Sequence, residues 1–114
     1  MAMIKIEAIF RPSRFEAVKT ALAKVGIKGM SVSEIKGCGK QKGAVEHYRG
    51  SEYEILLHPK VKIEIVTLNE NMDKIIEAIQ YGARTGETGD GKIFISEIIE
   101  AVQVRTGQRG SSVI

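Results

Sequence analysis

The stretch VKIEIVTLNENMDKIIEAIQYGARTGETGDGKIFISEI, Val61 to Ile98, changes its hydrophobic period twice. From Val61 to Thr67 apolar and charged residues alternate, with Val61, Ile63 and Ile65 set against Lys62 and Glu64. That is the period-two pattern of a half-buried strand. Asn69 or Asn71 can cap a helix, and Met72, Ile75, Ile76, Ile79 and Ala83 then supply an apolar stripe at helical spacing. A turn rich in glycine follows, and from Lys92 to Ile98 the pattern is again that of a strand. One strand, one helix and one strand are legible here in order.

The first third of the chain repeats that order. Met3 to Phe10 alternates, with Ile4, Ile6, Ala8 and Phe10 pointing one way and Lys5, Glu7 and Ile9 the other. Pro12 stops the strand, and Ser13 with Glu16 three residues on has the form of a capping box. Phe15, Val18, Leu22 and Val25 give a helical stripe closed by Gly26, and Met30 to Ile35 reads as a second strand. A short strand is expected near Val102 to Val104. Two β-α-β units fold most simply into an α+β, ferredoxin-like βαββαβ sandwich, a four-stranded antiparallel sheet with both helices on one face. The other face of the sheet needs a cover, and a homo-oligomer is the economical one. Residues 37 to about 57 break the pattern, with Gly37, Gly39, Gly43 and Gly50 among charged residues. A stretch that long without a period points to a functional loop between the second and third strands.

The chain's 114 residues suffice for one domain with a single core. There is no tryptophan, so the core is expected to be packed from Ile, Val, Leu and Ala. A formal charge of +3 suggests affinity for anions, but it is spread along the chain and argues only weakly for nucleic acid. The single cysteine, Cys38, excludes an internal disulfide and fits a reducing compartment. Lys5 and Glu7 interrupt the apolar run at residues 1–10, which therefore reads as neither signal peptide nor membrane span. A soluble, cytoplasmic domain is the expectation.

Three segments carry possible chemistry. Gly86-Glu87-Thr88-Gly89-Asp90-Gly91-Lys92 fits the core of a P-loop, but Ile93 stands where Ser or Thr is needed and a strand follows instead of a helix. What remains is a tight turn with Gly89 and Gly91 at positive φ, or a backbone that approaches a phosphate with Lys92 at its exit. Gly37-Cys38-Gly39-Lys40-Gln41-Lys42-Gly43 opens the long loop, and by itself reads as a solvated loop base. Tyr48-Arg49-Gly50-Ser51-Glu52-Tyr53 places hydroxyls and a guanidinium on the same loop, where residues of that kind meet partners. His47, His58 and Cys38 have no metal-ligand spacing. No nucleophile, base and orienting group form a set, so an enzyme has no support. A ferredoxin-like RNA-binding module would need aromatics on the outer face of the central strands. Only Phe10 and Phe94 are available there, and Phe10 falls on the inward register.

Tyr48 to Tyr53 and Thr85 to Phe94 resemble the two signature segments of the PII nitrogen-regulatory signal proteins. Those are Tyr-(Lys/Arg)-Gly-(Ala/Ser)-(Ala/Glu)-Tyr and (Ser/Thr)-x-x-x-Gly-Asp-Gly-(Lys/Arg)-(Ile/Val)-Phe. The resemblance covers essentially the whole chain. It implies one domain over residues 1–114, with a T-loop at about 37–57, a B-loop at about 84–92 and a C-loop at about 102–108. It further implies a homotrimer with nucleotide sites between subunits. ATP or ADP would be held by Ile9, Gly37, Cys38, Gly39, Lys40, Gln41, Glu64, Gly89, Asp90, Gly91, Lys92 and Arg105. Mg²⁺ would be ligated by Gln41 when 2-oxoglutarate is bound, with the acid also meeting Lys42, Gly43 and Lys60. Lys40 stands where many members have arginine. Arg105-Thr106-Gly107 matches the C-loop pattern Arg-x-Arg-Thr-Gly, with Gln103 in place of the first arginine. That leaves one fewer cation for the outer phosphates. Tyr53 and Ser51 match positions that are uridylylated or phosphorylated in members of the family, and Arg49 with Tyr53 those that meet a partner. The partner implied is an ammonium transporter or a nitrogen-metabolism enzyme, with no membrane insertion and no direct contact to nucleic acid. A paralogue that senses only adenine nucleotides is the nearest alternative.

Overall fold

A computed structural model describes residues 2–37 and 57–114 of the chain. Strand β1 (Met3–Phe10) leads through a 3-10 turn at Pro12–Arg14 into helix α1 (Phe15–Lys24), followed by β2 (Ser31–Gly37). The second unit is β3 (His58–Leu68), a 3-10 turn at Asn69–Asn71, α2 (Met72–Ala83) and β4 (Gly91–Ile98). The strands form one sheet in the order β2-β3-β1-β4, and each neighbouring pair is antiparallel. The ferredoxin-like arrangement expected from the two β-α-β units is the one observed.

The register puts Ile6 opposite both Ile65 and Ile95, so the inward residues of the central strands lie side by side. Ile4, Ile6, Ala8 and Phe10 of β1, with Val61, Ile63 and Ile65 of β3, are buried against Val18 and Leu22 of α1 and Ile75 and Ile79 of α2. Each fully buried side chain of this size contributes about 1.5–3 kcal/mol by leaving water. The helices meet at Gly82, where an added Cβ would lie 2.6 Å from the Cα of Val18. No larger residue fits without parting them. Phe10 is fully inside, as its register requires, and Phe94 sits half-exposed on the edge strand β4. The central strands therefore present no aromatic platform for nucleic-acid bases.

The outward face of the central strands carries a grid of charge. Glu7 and Glu64 stand directly opposite one another. Lys5 lies 3.9 Å from Glu7 and 3.6 Å from Glu64, and Lys62 lies 3.6 Å from Glu64. The like-charged pair is thus offset by two ammonium groups.

Three local expectations are corrected. Ser13 does not cap α1. The helix is entered through the 3-10 turn, where Pro12 presets φ and Ser13 already lies inside the turned backbone. Asn71 occupies the N-cap of α2, but its amide donates to Thr67 Oγ1 at 2.9 Å instead of the amide accepting from the helix. Val102 to Val104 is not a strand. The chain turns back on itself, with Gln103 N–H donating to Gln108 O and Gly107 N–H to Gln103 O, both at 2.8 Å. Only an isolated bridge, Val102 to Arg109, remains. By contrast, the α1 terminus at Gly26 is as expected. Gly26 N–H donates to Ala23 O and Ile27 N–H to Leu22 O, the paired bonds of a Schellman ending. Among the described residues no helix is long and apolar enough to cross a membrane.

Candidate functional site

The glycine-rich turn between α2 and β4 is built around one carboxylate. Asp90 Oδ2 accepts the N–H groups of Thr85 at 2.8 Å and Gly86 at 2.9 Å. Its Oδ1 accepts the Thr85 hydroxyl and the Arg11 Nε–H, the latter at 3.3 Å. These donors, the Thr85 hydroxyl foremost, hold the Asp90 carboxyl well below the usual carboxylate range. Asp90 therefore shapes the turn, and its charge is spent inside it. Gly89 and Gly91 have φ of 103° and 113°. At Gly91 a Cβ would also fall 1.8 Å from the carbonyl oxygen of Ile9, because β4 presses onto β1 there. Only glycine satisfies both conditions.

The carbonyls of Thr88 and Gly89 are partnered, and part of the turn's amides, among the described residues, are not. Arg11 Nη2–H donates to Thr88 O at 2.7 Å, and Lys60 Nζ donates to Gly89 O at 2.8 Å. Glu87 N–H is taken by Thr85 Oγ1 at 3.1 Å. Among the described residues, the N–H groups of Thr88, Gly89 and Asp90 have no acceptor. Three consecutive amides without an acceptor offer donors of the kind that bind an anion.

Lys60 links this turn to the end of β2. It pairs with Ile35 across the ladder, and a Cβ at Gly37 would lie 3.8 Å from its Cγ. Partial burial and the nearby Arg11 guanidinium lower the Lys60 pKa, while Asp90 acts to raise it. Gly37, Lys60 and the 85–92 turn thus meet at one end of the sheet. Ile9 lies opposite both Lys62 and Lys92 on the outward face, and Glu64 is one pair further along. On the helix side of the turn, a cavity of about 380 Å³ opens between α2 and β4, lined by Ile76, Gln80, Arg84, Gly91, Ile93 and others.

Arg105 is not brought to this cluster. The hydrogen bonds that residues 100–114 make among the described residues are internal to that segment, with Gln103 Oε1 accepting from Thr106 Oγ1 at 3.1 Å. Ile99 and Val104 are 97% and 99% exposed. Cys38, Gly39, Lys40, Gln41, Lys42, Gly43, Arg49, Ser51 and Tyr53 lie outside the described residues. Sequence reasoning missed Arg11, whose partners are 77 and 79 residues away. No local pattern signals a contact of that range.

Residues 3–108 match the family model described as nitrogen regulatory protein P-II. The chain is 50% identical to the nitrogen regulatory protein P-II of Rhizobium meliloti, over 98% of this chain and 100% of the relative. It is 52% identical to that of Azospirillum brasilense over the same shares. Among solved structures, Arabidopsis thaliana PII bound to citrate superposes with a TM-score of 0.77 at 40% identity, covering 97% of this chain and 91% of that one. B. subtilis GlnK superposes with a TM-score of 0.82 at 38% identity, covering 100% of both.

Proposed function

This chain belongs to the nitrogen regulatory protein P-II family, and from that membership we propose a trimeric, cytoplasmic signal protein that binds ATP or ADP between subunits. In this reading it senses 2-oxoglutarate together with Mg-ATP. It then regulates an ammonium transporter or a nitrogen-metabolism enzyme through residues 37–57. It acts as a regulator and not as an enzyme, in keeping with the names its relatives carry.

The observation that carries this reading is the run of amides at Thr88, Gly89 and Asp90 that have no acceptor among the described residues, with Lys92 at the exit of the turn. Backbone N–H groups approach phosphate oxygens without a side chain in the way, and an ammonium at the rim adds charge. Among the described residues, the segment that carries Arg105 makes no hydrogen bond to the body of its own subunit. Arg105 is thus available to complete such a site from a neighbouring copy, in keeping with clefts between subunits. Ile99, just before that segment, and Val104 within it are almost fully exposed and support the same packing.

The acid site rests on Lys60 and on the loop base beyond Gly37. Lys60 offers an ammonium of reduced pKa next to the turn. The Arabidopsis relative bound to citrate supports a polycarboxylate as ligand class. ATP and 2-oxoglutarate are both anions and repel each other in one cleft. Mg²⁺, with Gln41 as its protein ligand, supplies an oxygen-seeking centre that both can share. Binding of the two is then mutually favourable, and by linkage each improves the affinity of the other by the same factor.

Calorimetric titration of ATP, ADP and 2-oxoglutarate tests the proposal. 2-oxoglutarate is expected to bind only with Mg-ATP present, and Gln41→Ala to abolish that effect while nucleotide still binds. No binding of ATP or ADP at millimolar concentration would overturn the reading. Binding of 2-oxoglutarate with ADP, or without metal, would leave the nucleotide site standing and remove the shared-metal mechanism. The replacement of an arginine by Gln103 favours a second reading, a paralogue that senses adenine nucleotides alone. A titration in which nucleotide binds and the acid does not would select it.

A further inference from the structure

Arg11, the first residue after β1, lies outside every ligand set considered so far, yet it grips the glycine-rich turn twice. Its Nη2–H donates to the carbonyl of Thr88 at 2.7 Å, and its Nε–H donates to Asp90 Oδ1 at 3.3 Å. In a trans peptide the C=O of one residue and the N–H of the next point in opposite directions. Fixing the Thr88 carbonyl on Arg11 therefore turns the Gly89 N–H away from the guanidinium. Lys60 fixes the Gly89 carbonyl at 2.8 Å and in the same way turns the Asp90 N–H away from the Lys60 ammonium. Both of these amides are free of acceptors among the described residues.

We propose that Arg11 is a positioning residue for the anion site: by holding the Thr88 carbonyl and the Asp90 carboxylate, it aims the turn's amides at a nucleotide phosphate. The inference rests on the nucleotide-binding reading above. The hydrogen bonds of Arg11 go to the turn itself. The planar fork of arginine suits the task, because two N–H groups at a fixed angle reach two oxygens of the turn at once. A lysine at this position keeps the charge and loses the fork.

Two variants separate positioning from charge. Arg11→Lys preserves the cation, so a purely electrostatic role predicts wild-type affinity. Asp90→Asn removes a negative charge beside an anion site, so charge alone predicts tighter ATP binding. Positioning predicts the opposite in both, about a tenfold loss of ATP affinity from one disrupted charge-assisted contact. Calorimetry on the intact proteins reads the affinity, and hydrogen exchange at the bonded amides of Thr85, Gly86 and Glu87 without nucleotide reads the turn itself. Exchange there is expected to quicken in both variants, while β1 and β3 stay protected. Should Arg11→Lys bind ATP as the wild type does, or Asp90→Asn bind it more tightly, Arg11 acts by charge and the proposal fails. A wild type that binds no nucleotide would instead remove the functional reading on which it stands.

Discussion

Asp90 gathers donors from Thr85, Gly86 and Arg11 on one carboxylate, and its stability contribution has a definite pH window. Its pKa in the folded protein is depressed. The contribution is therefore fully present above the unfolded value, about 3.9 for an aspartate, and is lost as pH falls below it. Asp90→Asn should be less stable than wild type by a constant margin from pH 7 to about pH 4, and the margin should shrink at lower pH. Urea denaturation at a series of pH values measures this. A margin that stayed constant at pH 2.5 would show that the carboxylate's charge is not what closes the turn. Gln103 supports a second prediction at this scale. Its side chain accepts from Thr106 and carries no charge, so in the proposed nucleotide site the outer phosphate of ATP would meet one cation fewer than an arginine there would supply. Gln103→Arg is expected to tighten ATP more than ADP in parallel titrations. Equal tightening of both would mean that the new cation acts as a general attractor of anions.

The two helices illustrate what periodicity can and cannot report. Val18, Leu22, Ile75 and Ile79 were legible as stripes because a buried face repeats at the helical period, and all four are buried. Alternation likewise marked β1 from Met3 to Phe10 without error, since one face of that strand is core. The entries to α1 and α2 were not legible. Ser13 and Asn71 have capping chemistry, but each chain arrives through a 3-10 turn that redirects the side chain. Val102 and Val104 resembled a strand because exposed and buried valines look alike in sequence. At the site, the glycines of the turn were readable from composition, whereas the grip of Arg11 on them depends on strand order. Gly82 offers a test at the scale of elements. A methyl group there meets the Val18 backbone, so Gly82→Ala must part α1 from α2 and is expected to destabilise the fold by about 1–3 kcal/mol. Thermal or urea unfolding reads the loss, and a variant as stable as wild type would show that the helix pair can slide.

At the scale of the whole molecule, the charged grid on β1 and β3 and the exposed tail determine how a subunit can be used. Lys5, Glu7, Lys62 and Glu64 already satisfy one another within the subunit. A neighbour meeting that face encounters neutralised pairs and not a field of one sign. The tail behaves differently, since, among the described residues, residues 100–114 form hydrogen bonds only among themselves. If each cleft draws Lys92 from one copy and Arg105 from the next, the two defects can be housed in different chains. Lys92→Ala and Arg105→Ala trimers should each bind ATP about ten- to a hundredfold more weakly than wild type. Unfolded together and refolded as a mixture, they should regain tight sites in about a quarter of the clefts, the share that random assortment pairs correctly. Recovery of none would place both residues in one subunit's site. In the proposed trimer the same sharing would carry a defect across copies inside a cell: a chain damaged at Arg105 would spoil a cleft whose Lys92 belongs to an intact neighbour.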